Sequence, residues 1–292
     1  MKFKNSDQMK SFFKCEAKRL NISISNVYNT YFAREFLYRL SRNNPNAILV
    51  KGSSAEFTYL ERLVRAITDI DLASIDGYLE AMPILIDTMC DYGDSSINYH
   101  LQKHITRTQS GIYKLSLEAC YGTIRQPLNI DFQDHYNRLI EPEERTVLPI
   151  FEGDEPFLVL VPSYEEYLAE KLCIIIENRD PDKLNTRVKD FYDIYQLHGG
   201  NYDPDKLTEY FKKMIILRNK VELQQASTLS LNQSFIERHQ SIWDSTRKKY
   251  DFLDKEIDLA GAMYYARGVI REQLQKCGQE MPDNINIQYV KR

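Results

Sequence analysis

The chain has 292 residues and 43% hydrophobic content, enough for one large domain or two modest ones, each with a core. A net charge of −4 excludes an overall basic nucleic-acid footprint and leaves only local basic patches. Five cysteines (Cys15, Cys90, Cys120, Cys173 and Cys277) without close pairing or zinc spacing, no apolar N-terminal run and no span-length apolar segment predict reduced thiols, no membrane span and a cytoplasmic location.

In chain order, apolar periodicity predicts a helix over 7–19 and a longer one over 24–42, with Ser25 as its cap and Val27, Tyr31, Phe32, Phe36, Leu37 and Leu40 inward. Arg34, Arg39 and Arg42 fall on the other side. They read as solvated charge, with RNA steering as the alternative. Asn43-Asn44-Pro45-Asn46 stops that helix. Ile48-Leu49-Val50 then reads as a strand, Gly52-Ser53-Ser54 as a small-residue turn, 54–63 as a helix, and Asp69-Ile70-Asp71-Leu72 as a second strand. Alternation in a strand turns Asp69 and Asp71 to one face. Two adjacent carboxylates repel unless a cation neutralises them, and a hard divalent ion such as Mg²⁺ does so. Taken singly, the Gly-Ser turn and the Asp pair are ordinary turn and surface features. Together they suit metal-assisted nucleotide chemistry.

A helix over 76–91 follows, then a turn at 91–96, and two alternating segments, 97–108 and 111–118, that predict a hairpin. In 126–132, Leu128, Ile130 and Phe132 face one way and Asn129 and Asp131 the other. Beside the Asp69 strand, Asp131 becomes a third carboxylate; otherwise it is an exposed edge residue. The Pro-rich stretch 141–163, with one strand at 157–161, divides the chain into regions 1–150 and 151–292. Ser163 and Glu166 form a capping box for the next helix. Lys171 falls on that helix's apolar stripe, and a buried lysine needs a carboxylate or a phosphate. After a charged loop at 177–185, a helix begins near Arg187 with Asp190 on the border of its apolar face and Asp193 one turn on. Asp190 reads either as a functional acid or as an ion-pair partner of Arg187. His198-Gly199-Gly200 ends it. Further helices are predicted over 204–223, 232–249 and 252–277. No Gly-x-x-x-x-Gly-Lys-(Ser/Thr) motif is present, which excludes a Gly-rich-loop NTPase.

Lys51-Gly52-Ser53-Ser54-Ala55, Arg65-Ala66-Ile67-Thr68-Asp69-Ile70-Asp71, Ala169-Glu170-Lys171-Leu172 and Arg187-Val188-Lys189-Asp190-Phe191-Tyr192-Asp193 together resemble the motifs of the AbiEii-type toxin nucleotidyltransferases, a branch of the DNA-polymerase-β-like superfamily that includes the MenT toxins. The resemblance spans about residues 24–245. Ser53 stands where the family usually has a second Gly, the hydroxyl residue Thr68 sits directly before Asp69, and the intervening segment is one residue longer. Gly-Ser is the form of the wider superfamily. The resemblance implies an α/β (α+β) fold, with a small mixed sheet flanked by helices, a helical C-terminal half carrying Lys171 and Asp190, and a cleft between them. It implies catalytic roles for Asp69, Asp71, Asp131, Lys171 and Asp190. Two Mg²⁺ would be held by Asp69, Asp71 and Asp131, and an NTP bound by Lys51, Gly52, Ser53, Ser54, Arg65 and Lys171. Nucleotide transfer to an acceptor hydroxyl, above all a tRNA 3′ end, would make the chain the toxin of a toxin–antitoxin, phage-defence system with a cognate antitoxin. A small-molecule or protein acceptor, or an inactive nucleotide-binding or RNA-binding regulator, are the alternatives.

Overall fold

A computed structural model describes residues 3–43, 46–90, 96–134, 142–177, 187–218 and 233–278. The turn expected at 91–96 and the charged loop expected at 177–185 lie almost wholly outside these residues. So do the end of the helix expected over 204–223 and residues 44 and 45 of the expected helix stop. The chain divides into two compact units. The first is Met1–Pro162 with Tyr250–Leu253, and the second is Ser163–Lys249 with Asp254–Arg292.

The first unit carries α1 (Ser6–Leu20), α2 (Ile24–Asn43), β1 (Ile48–Lys51), α3 (Gly52–Leu60), β2 (Asp69–Ser74), α4 (Tyr78–Cys90), β3 (Asn98–Leu101), β4 (Thr106–Arg107), β5 (Ile112–Tyr121), β6 (Ile124–Gln133), β7 (Glu143–Val147) and β8 (Phe157–Val161). The sheet runs β3-β5-β6-β2-β1-β8-β7, with β4 also on β5. It is mixed: β2 is parallel to β6 and β1 to β8, and the other pairs are antiparallel.

Strict alternation gives the sheet two chemically different faces. Val50, Ile70, Leu72, Leu115, Leu117, Leu128, Ile130 and Phe132 are buried on one. The helix α2 packs against β2, β6 and β8. The opposite face has a small apolar cluster of Leu49, Ala73 and Leu160, and beyond it polar side chains at Lys51, Asp69, Asp71, Asn129, Asp131, Lys114 and Ser116.

Several expectations shift. Ser23, not Ser25, caps α2: its hydroxyl accepts from Asn26 N at 3.3 Å. Two of the arginines of α2 are interior rather than solvated or RNA-facing. Arg34 pairs with Asp154 at 3.1 Å and Arg39 with Glu35 at 3.3 Å, because a guanidinium this buried needs a carboxylate or carbonyl partner. Burial pushes the Asp154 carboxyl up even against the opposing charge of Arg34. The expected hairpin of 97–108 with 111–118 resolves into β3 and β4, each antiparallel to β5. The long hairpin is β5–β6, closed at Gly122 with φ +55°. The break between units falls after Pro162 rather than at 150, since β8 is bonded to β1.

The second unit holds α5 (Tyr164–Glu177), α6 (Lys189–His198), α7 (Pro204–Arg218), α8 (Gln233–Tyr250, whose last residue falls in the first unit) and α9 (Leu259–Lys276). The Ser163 hydroxyl accepts from Glu166 N at 3.2 Å, as the capping box requires. The last helix starts seven residues later than expected, because Asp258 caps it (Gly261 N to Oδ1, 2.7 Å) and Asp254 holds a turn before it. The segment 250–253 instead binds the first unit, with Ala66 N donating to Tyr250 O and Leu253 N to Val64 O, each at 2.9 Å.

Candidate active site

The centre of the polar face is a row of in-register residues. Lys51 on β1 lies opposite Asp71 on β2, Asp71 opposite Asp131 on β6, and Asp131 opposite Lys114 on β5. Asp69 is on the same face of β2, and both acids are partly exposed while Ile70 between them is fully buried. Thr68 Oγ1 donates to Asp69 Oδ1 at 3.4 Å. Lys114 Nζ is 3.4 Å from Asp131 Oδ2, and Lys51 Nζ donates to Gln133 Oε1 at 3.4 Å. Two cations thus bracket the acids in the plane of the sheet.

Gly52 joins β1 directly to α3, so the expected turn is a strand-to-helix junction. Its φ is +59°, and a Cβ there would sit 1.9 Å from Asp71 Oδ2. Glycine is required twice over, by the backbone conformation and by the close approach to the second aspartate. α3 opens without a side-chain cap from Lys51. At the same end, the Ser53 and Ser54 hydroxyls are 7% and 3% exposed by residue and find no hydrogen-bond partner among the described residues. A helix N-terminus favours an anion. Two buried donors without acceptors beside it point the same way, because burying an unsatisfied hydroxyl is costly.

Arg65 departs from its expected role. It is 2% exposed, ion-paired with Glu56 of α3 at 3.5 Å, with its guanidinium 5.6 Å from the Tyr250 ring. A buried guanidinium must keep a carboxylate, and Glu56 answers this one; Arg65 braces α3 and is not presented to a phosphate.

In the second unit, Lys171 is 6% exposed. Its ammonium donates to Asp190 Oδ1 and Asp193 Oδ2, both at 2.7 Å, and Arg187 Nε donates to Asp190 Oδ2 at 2.7 Å. The ion pair of Asp190 with Arg187 is present, and the same acid holds Lys171. Burial alone would raise the Asp190 carboxyl, but Lys171 and Arg187 more than offset it and hold it below the usual carboxylate range.

Among the described residues, no three His, Cys, Asp or Glu side chains are gathered into a metal cluster. The donor chemistry of the row nevertheless fits a hard divalent ion: Asp69 and Asp71 offer only carboxylate oxygens from one strand face, with Asp131 alongside. Asn129, which alternation already places on the Asp131 face, stands in register with Asp69 and Ser116; Lys114 and Ser116 were not foreseen. Reading the Gly122 turn as the hairpin turn sets Lys114 opposite Asp131, and that was the signal available.

The profile of the family described as "Nucleotidyl transferase AbiEii toxin, Type IV TA system" matches residues 38–264. MenT4, a nucleotidyltransferase toxin from Mycobacterium tuberculosis, has a similar fold at TM-score 0.55 and 15% identity, over 90% of this chain and 98% of that one. A candidate nucleotidyltransferase from H. pylori aligns at TM-score 0.50 and 14% identity, over 85% and 96%. No curated protein sequence matches this chain. Among the described residues, no helix is long and apolar enough to cross a membrane.

Proposed function

The chain belongs to the AbiEii nucleotidyl transferase toxin family of type IV toxin–antitoxin systems and is a nucleotidyltransferase, and from that premise we propose that it transfers a nucleotide from an NTP to the 3′ hydroxyl of tRNA at the Gly52–Asp71 junction. The observation that supports this site is the pairing of two buried hydroxyls, without a hydrogen-bond partner among the described residues, with the Asp69–Asp71 face across a glycine packed against Asp71; the tRNA acceptor comes from the family resemblance.

The triphosphate would lie over the N-terminus of α3, taking hydrogen bonds from Ser53 and Ser54 and charge from Lys51. Asp69 and Asp71 would hold Mg²⁺, with Asp131 as a further ligand, and the bound ions would supply charge neutralisation at the α-phosphate and pyrophosphate. In the reaction the acceptor oxygen forms a bond to the α-phosphorus and the bond to pyrophosphate breaks. As an alternative to holding an ion, Asp131 would take the hydroxyl proton. The resemblance gives Lys171 the neutralisation of triphosphate charge. We keep that role as part of the proposal, with Asp190 as the residue that fixes its ammonium. The type IV family implies an antitoxin partner, and phage defence is the setting that fits it.

The test is label transfer from α-³²P-NTPs to separate tRNA, protein and small-molecule pools, with Mg²⁺ and with EDTA. Label on tRNA that is lost with EDTA and in Asp69→Ala is expected. Full transfer by Asp69→Ala overturns the site assignment, and label found only on another pool overturns the acceptor.

A further inference from the structure

Residues 95–117 contain no Asp or Glu, in a chain whose net charge is −4. The same stretch carries His100, Lys103, His104, Arg107 and Lys114, all exposed. It forms β3, β4 and the start of β5, at one edge of the sheet. Lys114 ties this edge to the carboxylates, since Asp71, Asp131, Lys114 and Thr106 lie in register across four neighbouring strands. Strand spacing puts the edge about 14 Å from Asp71. Arg107, in register with Tyr113 and Phe132, flanks the edge on the face opposite Lys114, its guanidinium 5.3 Å from the Tyr113 ring, which stacks on Tyr78 at 4.2 Å.

Acids do face the edge, but each pairing is loose. Asp134 is 3.6 Å from Arg107, Asp131 is 3.4 Å from Lys114, and Glu118, opposite His100, is 3.8 Å from Arg125. Half-exposed pairs of this kind are worth little and yield readily to a stronger anion. A protein partner would want a buried apolar anchor, and on β3 to β5 the exposed large hydrophobic is Leu101.

We propose that this edge, through Lys103, Arg107 and Lys114 with the two histidines beside them, binds the phosphate backbone of an RNA acceptor whose terminal hydroxyl enters the Asp71–Asp131 row. The inference rests on the nucleotidyltransferase reading above and adds where the acceptor strand lies. Phosphate contacts fix the register of a strand without reading its sequence.

The experiment measures binding of a fluorescein-labelled tRNA pool to the full chain by anisotropy, without NTP, from about 50 to about 200 mM KCl. Lys103→Gln/Arg107→Gln is compared with Lys14→Gln/Lys18→Gln, an exposed pair on α1. Loss of two phosphate contacts lowers the slope of log K against log salt by about 2 and weakens binding alike for all tRNAs. The α1 pair leaves both unchanged, and thermal melting confirms that each variant is folded. An unchanged slope in Lys103→Gln/Arg107→Gln, an equal loss in the α1 pair, or no tRNA binding by the wild type overturns the proposal. None of these outcomes touches transfer to another acceptor, which is read separately through Asp69→Ala.

Discussion

The two units each carry a cluster of lysines and aspartates, and the two are built in opposite ways. On the sheet face Asp71, Asp131, Lys51 and Lys114 are partly or fully exposed, and the Lys114–Asp131 contact is 3.4 Å. In the helical unit Asp190 and Asp193 are fully buried and meet Lys171 at 2.7 Å. The first arrangement gains little from its own ion pair, since exposed pairs contribute at most about 1 kcal/mol. Asp131 can therefore be rearranged by a ligand that brings more positive charge. The second has already lost its solvent, so removing one member strands a charge in a dry interior. Similar residue types thus form a loose surface in one unit and a tightly held buried cluster in the other, and mutation should separate them by how far stability moves.

The largest effect belongs to the open cluster and should appear in activity alone. Asp69→Ala is expected to lower nucleotide transfer by about 10³-fold or more, equal to about 4 kcal/mol of barrier. Its melting temperature should stay close to wild type, since the side chain is partly exposed and its hydrogen bond from Thr68 is long. A large melting shift would put Asp69 with the buried cluster instead.

Asp190→Asn should move both measurements, costing about 3 kcal/mol of stability by leaving Arg187 and Lys171 short of an anion and slowing transfer as the Lys171 ammonium loses the acid that fixes it. Its pH dependence follows from the direction of the shift. The folded carboxyl titrates below its unfolded value, so its contribution is complete above the unfolded value of about 3.9 and fades as pH falls through the folded one. The melting gap between wild type and Asp190→Asn should therefore be full at pH 7 and narrow below about pH 4. A gap that widened in acid would contradict the charge network.

Much of this contrast was legible in the sequence. Alternation in Asp69-Ile70-Asp71 and in Leu128-Asn129-Ile130-Asp131-Phe132 places the acids on a polar face, and the position of Lys171 on an apolar stripe demands a buried partner. What stayed hidden depends on pairing at long range. The acids that take up Arg34 and Arg65 come from Asp154 and from Glu56 of α3, and helix periodicity says nothing of either. The late start of α9 was hidden for a different reason. Phe252 and Ile257 continue an apolar pattern, but local bonds to Asp254 and Asp258 compete with a helix there.

Gly52→Ala tests the point where backbone and carboxylate meet. A left-handed φ costs a non-glycine residue about 1–2 kcal/mol, and the new Cβ would displace the Asp71 carboxylate, 1.9 Å away. Both measurements should move together, with melting lowered and transfer reduced by about 10²-fold as Asp71 leaves its position. A stability loss with full activity would separate the carboxylate from the chemistry.

Ser53→Ala carries the smallest effect and the one with a distinctive sign. The hydroxyl is buried and has no partner among the described residues, so the folded protein bears its desolvation without return. Removing it should leave melting unchanged or raise it, by up to about 1 kcal/mol. A hydroxyl that donates to a triphosphate instead contributes about 1.5 kcal/mol or more when the nucleotide is bound, a rise of about tenfold in its Kd. Stability and nucleotide affinity should therefore move in opposite directions, and isothermal titration with a non-hydrolysable NTP beside a melting curve reads both. If the variant melted lower and bound nucleotide as well as wild type, the hydroxyl would have a partner within the fold and α3 would lose its claim on the phosphates.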